Sequence, residues 1–175
     1  MKHNNIDSAP RRGGGRARTT LLGLGAAAGL ILPLAVVGAA SASTTLGGCT
    51  VTPSTPAANG DVNASNVPYV DYTVTVTCDP GRSVEIDQQR WEKDFAASEG
   101  GDDMYGETFH TVDFTKAKVR KTKTWTYTGT LPANMDASGD VYREVYQKVS
   151  FQVTGYGIPS AWTAFESSAY RSIHE

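Results

Sequence analysis

Residues 68–91 read PYVDYTVTVTCDPGRSVEIDQQRW, and this stretch decides the fold. In its first half apolar and polar residues alternate, which is the two-residue period of a half-buried β-strand. The apolar members are Val70, Tyr72, Val74, Val76 and Cys78. Asp-Pro-Gly at 79–81 interrupts the alternation, and Val84 and Ile86 resume it. The stretch therefore predicts a β-hairpin whose first strand directs a cysteine into the core.

The same alternation, separated by turn residues, recurs to the end of the chain. Further strand patterns lie at 48–52, 107–114, 116–123, 140–154 and 161–170. In the longest pattern, Tyr142 and Tyr146 fall on the outward side. No convincing helical pattern follows the first 42 residues. With seven or eight short strands, the chain is predicted to be all-β and to form a single antiparallel β-sandwich.

The spacing between one cysteine and one tryptophan resembles that of immunoglobulin-like sandwiches. Trp91 follows Cys78 by 13 residues, and in that family a buried tryptophan on the third strand follows the second-strand cysteine at about this interval. The partner cysteine there lies on a late strand, whereas Cys49 lies upstream. The resemblance implies an immunoglobulin-like architecture with Trp91 buried, without descent from antibody domains. A bulge near 88–89 would bring Trp91 onto the buried face.

The first 42 residues are predicted to be a secretory signal peptide. Residues 1–20 form a basic n-region, residues 21–40 form an uncharged apolar h-region, and Ala-Ser-Ala at 40–42 provides a cleavage site. An uncleaved signal that anchors the protein facing outward is the alternative, because about 20 apolar residues can span a bilayer. The prediction is therefore a secreted protein, with membrane anchoring left open.

The mature part is expected to form one domain. Residues 43–67 are expected to contain a short first strand and an exposed loop rich in Pro, Ser and Asn. Residues 68–175 are expected to form the body of the sandwich, and residues 46–55 to belong to the same domain.

Two cysteines remain after the signal, and a disulfide between Cys49 and Cys78 is the simplest pairing in an exported domain. Leu-Gly-Gly-Cys at 46–49 also resembles the lipobox of bacterial lipoproteins. That resemblance implies a lipidated Cys49 and an envelope-anchored structural lipoprotein. The lipid anchor stays open as an alternative to the disulfide.

The predicted mature chain is acidic apart from one cationic run. The first 42 residues hold five basic residues and one acid, which leaves 11 basic against 17 acidic residues, a formal charge of −6. This excess of acid argues against nucleic-acid binding. The cationic run contains Lys116, Lys118, Arg120, Lys121 and Lys123. Cations on both faces place such a strand at a sheet edge, where charge prevents aggregation.

The cationic run and two outward aromatic residues are the predicted contact residues. We expect the five cations, with Tyr142 and Tyr146, to bind an anionic cell-envelope polymer or an acidic protein surface. No catalytic constellation accompanies them, since His110 is a lone histidine on an apolar strand face. The sequence therefore predicts a secreted, non-catalytic binding protein that acts at or outside the cell envelope without a cofactor.

Two other kinds of chemistry remain as alternatives. Nine acids against three bases in residues 82–115 permit a secreted carbohydrate-active hydrolase with paired carboxylates. The candidate carboxylates are Glu92, Asp94, Glu107 and Asp113. A weak calcium pattern consists of Asn134, Asp136, Ser138 and Asp140, although Val145 occupies the place of the bidentate acid. A looser calcium candidate combines Glu99, Asp102 and Asp103.

Overall fold

The computed structural model describes residues 42–94, 101–131 and 142–174. These residues form eleven β-strands and no helix, so the all-β prediction is confirmed. The strands are Thr44–Leu46 (β1), Cys49–Pro53 (β2), Ala57–Val62 (β3), Pro68–Cys78 (β4), Arg82–Glu92 (β5), Asp103–Asp113 (β6), Lys121–Thr130 (β7), Tyr142–Gly155 (β8), Ile158–Pro159 (β9), Glu166–Ser167 (β10) and Arg171–His174 (β11). In the part of the chain described, no helix has the length and apolarity to cross a membrane. The predicted signal segment lies outside these ranges, except for residue 42.

The strands form two antiparallel sheets. In the five-stranded sheet, β1 pairs with β2, and β4 has β2 and β3 along one side and β7 along the other. In the six-stranded sheet, β5 lies between β6 and β8, and the far side of β8 is lined by β9, β10 and β11. Apolar residues of both sheets belong to one buried cluster. Its members are Cys49, Val51, Val74, Val76, Cys78, Val84, Ile86, Val112, Phe114, Val149, Phe151 and Val153.

The turn at 79–81 connects the two sheets, so the predicted hairpin is wrong. Its two strands, β4 and β5, pair with different neighbours and face each other across the core. Each strand has one buried face. This face is apolar along β4 and at the beginning of β5, and apolar faces are best removed from water when they pack against each other. Gly81 at φ 76° allows the sharp change of direction.

The interior is polar toward one end, so the inward positions of β5 do not all carry apolar residues. The strand keeps its period as far as Glu92, but its last inward residues are Gln88, Arg90 and Glu92. No bulge occurs at 88–89. The register shift falls between Arg90 and Trp91, where β6 contains the extra residue Tyr105. Trp91 therefore lies half-buried on the outer face, and the prediction of a core tryptophan is wrong.

Hydrogen bonds and an ion pair connect most of the polar groups in this interior, although Gln88 Oε1 accepts no hydrogen bond from the described residues. Gln88 Nε2 donates to Gln147 Oε1 at 2.5 Å, and Gln147 Nε2 donates to the carbonyl oxygens of Ser54 and Thr73 at 2.6 and 2.9 Å. Arg143 Nη1 lies 3.2 Å from Glu92 Oε1, and both side chains are almost fully buried. Buried polar groups of this kind are tolerated because they are hydrogen-bonded.

The predicted disulfide between Cys49 and Cys78 is confirmed. The two cysteines are direct cross-strand partners on β2 and β4, within one sheet. In immunoglobulin domains the conserved disulfide joins the two sheets instead, so this feature of the resemblance is absent. The Cys49 sulfur that a lipid anchor would need is bonded to Cys78.

Three further stretches differ from the strand predictions. Residues 57–62 form β3, although a loop was expected there. Residues 114–120 are turns, and β7 begins only at Lys121, because the chain must cross here from the six-stranded to the five-stranded sheet. The expected last strand at 161–170 is broken, with only β10 inside that range.

Candidate functional site

The five cations of the predicted contact run divide between a loop and the edge strand β7. Lys116, Lys118 and Arg120 lie in the loop after β6, and Lys121 and Lys123 lie on β7. Among the described strands β7 pairs only with β4, which agrees with the predicted edge position.

Two of the five cations, Arg120 and Lys123, form contacts with other parts of the fold. Arg120 Nη1 lies 2.7 Å from Asp79 Oδ1 and donates to the carbonyl oxygen of Gly48 at 3.2 Å, so it ties the loop to the β1–β2 turn. Lys123 Nζ donates to the carbonyl oxygen of Asp113 at 2.5 Å and lies 5.1 Å from the centre of the Phe114 ring. These contacts give both residues a structural role.

The other three cations are available for a ligand. Lys116 and Lys121 line a surface pocket of about 230 Å³ together with Asp113 and Phe114, and Lys118 is exposed nearby in sequence. None of the three lysines forms an ion pair with a carboxylate of the described residues. Hydrogen bonds from the backbone and side chain of Thr115, helped by Lys123 and Lys116, hold the pKa of Asp113 below its ordinary value. Ionised Asp113 is outnumbered in the pocket lining by Lys116, Lys121 and Lys123, so the pocket is net positive.

The two predicted aromatic contacts do not join this pocket. The pocket lies where β5 begins, whereas Tyr142 and Tyr146 lie near the end of β5, because Glu92 pairs with Val145. A strand of eleven residues separates these positions by about 33 Å. Tyr142 is exposed, with its ring edge-on to His174 at 5.0 Å.

The expectation that Tyr146 is an outward contact residue is wrong about its exposure. Its side chain points to the outer face as its parity predicts, but it is only 6% exposed. The ring stacks on Trp91 with 6.4 Å between centroids, and the hydroxyl donates to Asp102 Oδ2 at 2.6 Å. Neighbours on the outer face thus cover Tyr146, which strand parity alone does not reveal.

The four acids proposed for hydrolysis lie in different surroundings. Glu92 is inside the fold with Arg143, the backbone N–H of Asp94 donates to Asp102 at 3.3 Å, and Asp113 lines the basic pocket. Glu107 accepts a hydrogen bond from Gln89 Nε2 at 2.9 Å. Glu107 and Asp113 are six residues apart on β6, or about 20 Å.

A different carboxylate pair, Asp87 with Glu107, lies on the outer face of the six-stranded sheet. Burial, together with the charge of Glu107 and a hydrogen bond to it, raises the pKa of Asp87 to about 6. One carboxylate oxygen of Asp87 is buried without a hydrogen-bond donor. A proton on Asp87 allows it to donate to Glu107, which relieves the repulsion between the two groups.

The remaining candidates for chemistry are a histidine and metal ligands. His110 stacks on Trp125 with 4.3 Å between ring centroids, and burial lowers its pKa. The described ranges contain no group of three or more His, Cys, Asp or Glu residues that could hold a metal ion. Glu99 and the four residues of the main calcium pattern lie outside those ranges.

A second pocket, absent from the sequence predictions, lies on the outer face of the six-stranded sheet. It has a volume of about 420 Å³, and its lining includes Asp102, Tyr146, Lys148 and Tyr170. Lys148 Nζ lies 3.6 Å above the centre of the Trp91 ring. Its residues come from β8, from the loop before β6 and from the C-terminal segment, so no local sequence pattern marks it. One signal was present: Ser/Thr-Ala-aromatic occurs three times within residues 160–170.

No protein-family model and no curated protein matches this sequence.

Proposed function

We propose that this chain is an exported, non-catalytic binding protein that acts at or outside the cell envelope. Its disulfide supports this proposal, because such bonds persist in oxidising compartments. The signal-like segment at 1–42 has the order of charge, apolarity and small residues that export requires. We further propose that the two sheets pack as an immunoglobulin-like sandwich; their shared buried cluster supports this architecture.

The proposed ligand is an anionic polymer of the envelope, and Lys116, Lys118 and Lys121 are its proposed contacts. The proposal rests on a difference in contacts among the five cations of the run. Two cations are held by the fold, while these three form no ion pair with a described carboxylate. On a domain with a formal charge of −6, such a local concentration of positive charge attracts an anionic chain to one place.

The test is retention of the exported protein on purified cell wall. We expect replacement of the three lysines by serine to reduce retention strongly and to weaken its dependence on salt, because counterions screen exposed charges. The melting temperature should stay the same, since the three side chains are exposed and form no ion pair with a described residue.

The matched control replaces the same three lysines by arginine, which preserves the charge. Retention of this variant should equal that of the wild type. Equal retention of the serine variant and the wild type would contradict the proposal.

A further inference from the structure

The C-terminal edge of the six-stranded sheet contains a tripeptide that occurs three times. Its copies are Ser160-Ala161-Trp162, Thr163-Ala164-Phe165 and Ser168-Ala169-Tyr170. Each consists of a hydroxyl residue, an alanine and an aromatic residue, and all three lie alongside β8. In the structure, the hydroxyl residue and the aromatic residue of the tripeptide have different surroundings.

The hydroxyl residue of each copy connects the segment to β8 by two hydrogen bonds. Thr163 shows the pattern: its N–H donates to the carbonyl oxygen of Phe151 at 2.9 Å, and its Oγ1 accepts from the N–H of Phe151 at 3.1 Å. Ser160 makes the same pair of bonds with Val153, and Ser168 makes it with Gln147. A side-chain oxygen thus replaces the carbonyl oxygen of an ordinary strand.

Because a side-chain oxygen takes the place of a backbone carbonyl, the residues that follow leave the regular strand pairing. The hydroxyls of Ser160 and Ser168 also donate to the carbonyl oxygens of the alanines that follow them, both at 2.8 Å. The backbone therefore leaves the strand path after each hydroxyl residue, as in a β-bulge. The aromatic side chains are exposed as a result, Trp162 by 41%, Phe165 by 43% and Tyr170 by 49%.

Trp162 and Tyr170 both reach the outer face of the sheet. The Trp162 ring packs edge-on to exposed Phe109 of β6, with 6.4 Å between centroids. Tyr170 lines the pocket of about 420 Å³ beside Tyr146 and Lys148. Trp162 lies next to residues 151–153 of β8 and Tyr170 next to residues 145–147, so about 20 Å of sheet separates them.

We infer that an acidic glycan chain binds along this edge, with sugar rings on Trp162 and Tyr170. The inference adds a second contact surface to the proposed function and rests on its premise that the partner is an envelope polymer. Polar residues lie between the two aromatic positions in sequence, among them exposed Ser167, which suits a chain that alternates apolar ring faces with polar substituents. The pocket volume lies in the range of small-molecule sites.

The positive charge of the pocket favours an acidic sugar as its ligand. Lys93 is paired with Asp102 at 3.8 Å, but Lys148 forms no ion pair with any described carboxylate and lies above the Trp91 ring. Although burial raises the pKa of Asp102, the ammonium groups of Lys93 and Lys148 both act on this carboxylate and lower its pKa, so the pocket holds two cations against one carboxylate. This remaining positive charge favours a sugar that carries a carboxylate. Trp91 Nε1 donates to Gln89 Oε1 at 3.2 Å, and this bond orients the ring beneath the ammonium group.

The experiment measures quenching of tryptophan fluorescence by defined probes. The acidic probes are a hyaluronan hexasaccharide, an oligogalacturonate and peptidoglycan fragments released by lysozyme, and chitohexaose is the neutral comparator. We expect saturable quenching by at least one acidic probe and much weaker quenching by chitohexaose. Trp162→Ala, Tyr170→Ala and Lys148→Gln should each weaken binding about tenfold, measured by calorimetry, as expected for loss of one stacking or charge contact.

The matched control is Tyr156→Ala, which removes an aromatic side chain that is 92% exposed and lies outside the repeats. Its affinity for the probe should equal that of the wild type, and unchanged melting temperatures should show that all variants are folded. Binding of no acidic probe, equal binding of chitohexaose, or an equal effect of Tyr156→Ala and Trp162→Ala would each overturn the inference. Failure here leaves wall retention through the three lysines as a separate result, which the serine variant measures.

Discussion

The surroundings of some side chains in this protein disfavour their charged form. Asp87 lies against Glu107 on the six-stranded sheet, and its pKa of about 6 stands well above the ordinary 3.8. The folded state therefore holds more protons than the unfolded chain between about pH 4 and pH 6. Because folding takes up a proton in this interval, the contribution of Asp87 to stability falls as the pH rises through it.

We predict that Asp87→Asn raises the melting temperature by a few degrees at pH 7.5 and changes it little at pH 3.5. The reason is that asparagine resembles the protonated acid and removes the repulsion from Glu107. Thermal unfolding at both pH values checks this. Asp113→Asn is the control, because the pKa of Asp113 is lowered and no gain is expected at pH 7.5. A lower melting temperature of Asp87→Asn at pH 7.5 would contradict the prediction.

Gly106 allows a guanidinium group to lie directly against the backbone of β6. A Cβ atom at this position would overlap the buried Arg90 side chain, whose Cζ would be 2.9 Å away. Arg90 cannot easily move, since it lies 4.0 Å from the centre of the Tyr127 ring and donates to Thr108 Oγ1 at 2.8 Å. The contact is therefore rigid.

We predict that Gly106→Ala lowers the free energy of unfolding by about 1 to 3 kcal/mol, the usual cost of overpacking a buried site. Urea denaturation measures the change. Thr111→Ala, at an exposed position of the same strand, serves as the control and should change stability little. Equal stability of Gly106→Ala and wild type would show that Arg90 is free to move.

At the scale of elements, the C-terminal segment is attached to β8 by side chains as well as by backbone. The attachment at Thr163 is central, because its carbonyl oxygen also accepts a hydrogen bond from Ser150 Oγ at 2.8 Å. Loss of its hydroxyl leaves the backbone N–H of Phe151 without an acceptor in a partly buried place. A partly buried N–H group without an acceptor lowers the free energy of unfolding, because no other contact compensates for the lost hydrogen bond.

We predict that Thr163→Val lowers the free energy of unfolding by about 1 to 3 kcal/mol, the cost of an unpaired donor. Hydrogen exchange at Phe151 N–H should accelerate in the same variant. Thr163→Ser keeps the hydroxyl and is the matched control, with slow exchange retained. Equal exchange rates in Thr163→Val and wild type would mean that another group accepts this bond.

Two ion pairs between elements differ in their surroundings and should differ in effect. Arg120 and Asp79 are each 47% exposed in their side chains, whereas Arg143 and Glu92 are buried between strands. We predict that Arg143→Met lowers stability by about 3 to 5 kcal/mol, because it removes a buried guanidinium group from the buried carboxylate of Glu92. Arg120→Met should cost about 1 kcal/mol or less. Urea denaturation of both variants decides, and equal losses would contradict this ranking.

At the scale of the whole molecule, the disulfide fastens the first strands to the central strand of the five-stranded sheet. The two cysteines are 29 residues apart in sequence. We predict that the double variant Cys49→Ala/Cys78→Ala loses about 3 to 4 kcal/mol of stability, because its unfolded chain regains the entropy of this loop. Chemical denaturation measures the loss, with reduced wild type as the matched comparison. The intact mass of the protein should rise by two hydrogen atoms on reduction; a lipid adduct on Cys49 would contradict this expectation.

Local patterns in the sequence were sufficient for the longest alternating strands and for the covalent bond. The alternation of Val70 to Cys78 identified β4 and its buried face, because side chains of a strand point alternately to its two sides. The disulfide was predicted from two cysteines that follow a signal-like N-terminal segment. The edge position was predicted from five cations on both faces of one strand, but only Lys121 and Lys123 belong to β7 and both lie on the same face, so the position was right although the premise was not.

The tertiary structure alone decided which strands pair and which side chains meet. The turn at 79–81 has the composition of a hairpin turn, yet it joins two sheets, because pairing depends on the partners that arrive from elsewhere in the chain. Trp91 points outward because Gln88 and Arg90 occupy the inward positions of the same strand. The sequence alone does not indicate that these polar residues are buried, because their hydrogen-bond partners come from distant strands. The pocket of about 420 Å³ combines residues from β8, from the loop before β6 and from the C-terminal segment, so it exists only when the fold brings these parts together. The basic pocket, in contrast, is lined by residues 113–123 alone, which is why the sequence could indicate it.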